Sequence, residues 1–149
     1  MAQTSTNSVR LRSGGLTFLS IFNAFALIIT IIFWGMVFFR HLVPYPWDMV
    51  TLADKANSSV TYGFMIGDIL YTVPLLLLAW LGLWRLKSWG WMAAQMANAL
   101  WIYSMTIILL RDSYTTMSPG GLLFIPFTVV AVWAIPYLWI HRKDFGVNG

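Results

Sequence analysis

The sequence predicts an all-α integral membrane protein: four transmembrane helices in an up-down-up-down bundle, both termini cytoplasmic. Three observations carry that expectation. Hydrophobic residues make up 59% of the chain and charged residues only 9%, against about 25% charged in a soluble protein. Four apolar stretches, about 15–39, 62–84, 89–110 and 121–140, can each cross a hydrocarbon core of about 30 Å at about 1.5 Å per helical residue. The polar connections between them are short, which sets consecutive helices antiparallel.

Residues 1–14 form a polar tail, with Arg10 and Arg12 just before the first span. Gly15–Phe39 is interrupted only by Thr17, Ser20, Asn23 and Thr30. Ala24-Phe25-Ala26 has the small-x-small form of a signal-peptide cleavage site, but it lies inside the apolar run. That run outlasts an h-region of about 7–15 residues, so a retained helix is expected. Pro44 and Pro46 end it, and Tyr45 and Trp47 suit the membrane interface. Asp48–Asn57 reads as a short helix lying on the membrane surface. Asn57-Ser58-Ser59 matches a glycosylation sequon, which matters only in a eukaryotic secretory host.

Tyr62–Trp84 is the second span, with Pro74 in its middle. Arg85-Leu86-Lys87-Ser88 is a tight basic turn into the third span, Trp89–Leu110. Arg111–Gly120 is a polar loop, Gly121–Ile140 the fourth span, and 141–149 a basic tail. The span-bearing region 15–140 is a single domain. Arg10, Arg12, Arg85, Lys87, Arg142 and Lys143 fall on one side, and Arg40, Lys55 and Arg111 on the other. The positive-inside rule then places both termini in the cytoplasm. The membrane is the cytoplasmic or inner membrane of a prokaryote, or the ER or plasma membrane of a eukaryote.

Several chemistries are excluded. There is no cysteine, which removes disulfides, thiolate metal sites and cysteine nucleophiles. His41 and His141 lie on opposite faces and cannot share a haem or metal. Ser104 has no histidine base at its depth, and no glycine-rich loop resembles a phosphate cradle. The net charge of +4 sits at span ends, where snorkelling and topology explain it better than nucleic acid. No cofactor or metal is expected.

Asp68 is the residue to explain. A carboxylate in a span costs about 2.5–3.5 kcal/mol on insertion scales and faces a partner or water. It lies about 9 Å below the outer boundary, with Tyr103, Thr106 and Thr128 at about 8–12 Å. Tyr71 and Thr72 share its helical face. The expected outer pocket is therefore lined by Asp68, Tyr71, Thr72, Tyr103, Thr106 and Thr128, with Arg111 or Tyr103 as partner of the carboxyl. Gly63 and Gly67 form a GxxxG that reads as a close helix approach.

Deeper, Asn23, Gln95 and Asn98 read as interhelical hydrogen bonding or as a polar lining, the first being favoured for Asn23 and Gln95. Trp91, Gln95, Asn98, Ile102 and Thr106 form one stripe, expected to face inward. Trp34, Trp47, Trp84, Trp89, Trp91 and Trp139 read mostly as belt residues, whereas Trp101 and Trp133 are deep enough to wall a pocket, and Asn98 is a candidate for its lining.

The run Asp68-Ile-Leu-Tyr-Thr-Val-Pro74 resembles the second-helix pattern of the EXPERA superfamily, which includes the emopamil-binding sterol isomerases. Leu122-Leu-Phe-Ile-Pro126-Phe resembles its proline-containing fourth helix. The resemblance implies a membrane pocket for sterol-like or cationic amphiphilic ligands, with Asp68 as the second-helix acid. The first helix lacks a matching acid, and the third carries Asn98 and Trp101 where a histidine is often found. An isomerase needs paired acid–base groups, so binding is expected before catalysis. The expected function is a small polytopic membrane protein whose outer, polar and aromatic pocket binds or transports a small amphiphilic, sterol-like or cationic ligand. The alternatives are a non-catalytic accessory subunit of a larger membrane complex and an isomerase-type enzyme. Expected partners are the lipid bilayer, a hydrophobic or cationic small molecule, and a second copy or larger complex, but no nucleic acid.

Overall fold

The computed structural model describes residues 13–114 and 117–147, and every regular element there is helical. Arg10, Arg12 and nearly all of the polar tail lie outside the described residues, as do positions 115, 116, 148 and 149. Helix α1 is Gly14–Phe39, α2 Leu52–Gly67, α3 Val73–Trp84, α4 Ser88–Ser113 and α5 Pro119–Ile140. A π-helical turn, Asp68–Thr72, joins α2 to α3 without a break, and 3-10 turns occupy Pro46–Asp48 and Arg142–Phe145. Four helices are long and apolar enough to cross a membrane: Gly14–Phe39, Leu52–Trp84, Ser88–Ser113 and Gly120–Ile140.

Local chemistry sets the boundaries. The Ser13 hydroxyl accepts from the Leu16 N–H and starts α1, and Ser118 does the same for Gly121 at the start of α5. The second spanning helix begins at Leu52, not at Tyr62, and no separate surface helix covers 48–57. The reason is an N-cap at Thr51. The Asp54 N–H donates to Thr51 Oγ1 at 3.1 Å, while the Thr51 hydroxyl donates to the Asp54 carboxylate at 2.6 Å.

Pro74 explains the π turn. A proline has no N–H to give, and its ring presses on the carbonyl four residues back. The turn widens, and the Val73 N–H reaches the Asp68 carbonyl, five residues back.

The core is graded from one end to the other. At the turn end, named for Arg85–Lys87, Leu19, Ala79, Leu83, Ala94 and Leu138 are wholly enclosed. Gly82 and Gly90 meet there, and a Cβ on either would strike the other's backbone. The turn closes with the Lys87 N–H donating to the Gly82 carbonyl at 2.9 Å. Leu86 takes φ 50°, strained for a bulky residue, with its side chain packed against the core. At the loop end, named for residues 40–51, the core thins to Trp34, Val37, Tyr62 and Met65. Helix α3 packs on α1 and α4, and α4 packs on α5, whereas α2 rests mainly on the Pro46–Asp48 turn.

Two expectations about faces are corrected. The buried face of α4 is Ala93, Ala94, Ala97, Met105 and Asp112, not the stripe from Trp91 to Thr106. Alanines admit the close approach of neighbouring backbones, so they turn inward. Trp91 and Gln95 reach from the edge to the Leu138 and Ile135 carbonyls of α5, at 2.8 and 3.2 Å. Gly63 and Gly67 have no atom within 4 Å of where a Cβ would stand, so within the chain they bring no helices together. On the far side of α1, Ile21, Phe25, Ile28 and Ile32 present a half-exposed apolar row.

Candidate functional site

Asp68 opens the π turn, and its carboxyl is held by two neutral donors. Trp34 Nε1–H donates to Oδ2 at 2.8 Å from α1, and the Thr72 hydroxyl donates to Oδ1 at 2.8 Å from one turn along. A carboxylate has about four acceptor positions, so these bonds leave it unsaturated. Trp34 is thus no belt residue. It is buried, 8% exposed. The signal was in the sequence: Asn23, Leu27, Thr30, Trp34 and Val37 follow helical spacing, and all are buried.

Beside Asp68 lies a cavity of about 280 Å³ between α1, α2, α4, α5 and the 40–51 loop. Phe33, Trp34, Phe64, Trp101, Met105 and Phe124 supply most of its character, with Ser104, Arg111 and Ser118 as polar points. Asp68 is the acid on its wall among the described residues. Arg111 is bound to its neighbour Asp112 through Nε at 3.0 Å and Nη2 at 2.8 Å. Asp112 also accepts from the Ser118 N–H and hydroxyl, at 2.8 and 2.7 Å, which pins the start of α5 to the end of α4. That network is charge-balanced and reads as a staple.

A second hollow, about 350 Å³, runs between α2 and α4 on the outside of the bundle. Asp68, Tyr71, Thr72 and Tyr103 line it together, so the structure gathers four of the expected site residues around one groove. Trp101 joins Asp68 in the cavity instead. Thr106 and Thr128 line neither space; their hydroxyls turn back onto the Ile102 and Phe124 carbonyls of their own helices, at 2.7 and 3.0 Å. Asn98 also lines neither space.

Asn98 Nδ2 and Trp101 Nε1 are sealed from solvent without a hydrogen-bond partner among the described residues. Buried polar groups are nearly always paired, so these two donors stand out, although only Trp101 belongs to a residue of the cavity wall. Asn23 is spent on its own helix, donating to the Leu19 carbonyl at 2.7 Å. Among the described residues no cluster of three or more His, Cys, Asp or Glu side chains is placed to hold a metal.

Compared with protein-family models, curated proteins and solved structures, the chain matches none.

Proposed function

We propose that this chain is a multi-pass membrane protein that binds, and by that route carries or senses, a small amphiphile with a cationic head. One observation carries the reading: an intramembrane carboxylate, held only by neutral donors, stands in the wall of an aromatic cavity. Arg111 and Asp112 offset each other, which leaves Asp68 as the acidic group of the cavity wall that a cationic head would pair with. Trp34 and Trp101 add aromatic faces that attract a cation by about 0.5–2 kcal/mol.

The bundle is up-down-up-down in this reading. Support comes from contacts that pair residues near opposite ends of successive helices: Gly82 with Gly90, and Gln95 with Ile135. Arg85, Lys87, Arg142 and Lys143 support a cytoplasmic turn end, with Asp68 nearer the opposite face. The resemblance to the EXPERA superfamily points to the same ligand chemistry. A single carboxylate favours binding over proton transfer between paired groups.

The test is thermal unfolding of the full chain in mild detergent with dodecylamine and with dodecanol. The amine should stabilise wild type beyond the alcohol, by about 2.7 kcal/mol at a hundredfold excess over its Kd. Asp68→Asn should lose that difference. Equal responses from the two proteins would remove Asp68 from the site.

A further inference from the structure

The cavity does not stop at Asp68. Phe64, Asp68 and Ser104 line both it and the outer groove, so the two hollows meet along these three side chains. The π turn puts Asp68 at the start of the widened segment, with Tyr71 and Thr72 continuing along the groove. The floor of the groove is Gly63 and Gly67, bare because neither glycine has a neighbour within 4 Å of a Cβ position. Val60 and Leu100 add aliphatic wall, and Tyr71 and Tyr103, 62% and 64% exposed, stand up as rims. Ile66 and Leu70 flank it, each more than half exposed, so the groove lies on a lipid-compatible face.

We infer that the groove is the tail subsite of the cavity at Asp68, and that the ligand is a single-chain amphiphile with its head in the cavity and its alkyl chain along Gly63 and Gly67. The inference rests on the cavity reading above and adds the class of tail. The hollows hold about 280 and 350 Å³, at the lower end of the about 300–1,000 Å³ of small-molecule sites; one ligand using both would have the room of a mid-sized site. A second copy of the chain fits this face less well. A GxxxG dimer needs a flat approach of backbones, and the tyrosine rims stand in its way.

The experiment is photolabelling of the full chain in lipid nanodiscs with two dodecylamine probes, one bearing a diazirine beside the amine and one at the far end of the chain. Labelled peptides are mapped by mass spectrometry, with and without a tenfold excess of plain dodecylamine. The head-end probe should label cavity walls such as Phe33 and Met105, and the tail-end probe should label Leu100 and Tyr103, both competed at least fivefold. Gly67→Leu fills the floor without a steric conflict at Cβ, and should abolish groove labelling while keeping that of the cavity. Gly63→Leu provides the same test one turn away. Competed labelling of the cavity alone, or groove labelling that survives both leucines, overturns the tail subsite and leaves the cavity reading standing. Competed labelling at neither place removes both. A wild-type dimer that either leucine converts to monomer by native mass measurement overturns the inference in favour of a homodimer face.

Discussion

At the turn end the backbones of α3 and α4 touch at Gly82 and Gly90, whereas at the loop end the helices part around a cavity of about 280 Å³. Each end has its pair of glycines and its tryptophan bonded across helices. The glycines at the turn end face another helix; those at the loop end face open space. Trp91 donates to a backbone carbonyl, a partner that any indole could use, while Trp34 donates to the one carboxyl in the cavity wall. The contrast separates scaffold from site. Close packing takes place where the residues are small, and the bond to a side-chain carboxyl lies where the packing is relaxed.

Substitutions can break or sharpen that contrast. Gly82→Val forces a side chain into the Gly90 backbone and should destabilise by about 3 kcal/mol, read as the thermal midpoint in detergent; an unchanged midpoint would mean that the turn end is not rigid. Trp34→Phe keeps the ring but strips Asp68 of a donor, with an expected loss of about 1–3 kcal/mol. The same unfolding measurement checks it, and a neutral result would show that water or lipid replaces the indole freely. Gly63→Ala should have the opposite sign to Gly82, a gain of about 0.5–1 kcal/mol, because its Cβ meets nothing. A loss there would place an unseen helix against that face. Gln95→Leu should be the mildest, about 0.6 kcal/mol, since its single bond to the Ile135 carbonyl is 3.2 Å long; a loss several times larger would make that bond part of the scaffold.

The spans were legible because apolar length is a one-dimensional property, and Asp68 stood out because a charge in such a run has few explanations. The start of α2 is also written, as Thr51 and Asp54 three apart, but the prolines and polar residues of the same stretch mask it. Which glycine pair makes contact was not legible. Gly63/Gly67 carry the recognised spacing, while Gly82 and Gly90 lie on different helices and meet only after the Arg85–Lys87 turn has folded. The face of α4 failed for a related reason. Polarity does not mark the interior of this helix: alanine's small volume lets it pack there and leaves Gln95 at the seam.

The π turn has a mechanical consequence. Beyond it, α2 is tethered by a few side-chain bonds, among them Ser58 to the Pro44 carbonyl and Tyr62 to the Val43 carbonyl at 2.9 Å. Its 16 residues form an arm of about 24 Å at 1.5 Å per residue. A swing of about 10° at Asp68 would carry the Leu52 end about 4 Å, by the same geometry. A tilt too small to notice at the carboxyl would thereby be geared up into several ångströms at the far end of the arm.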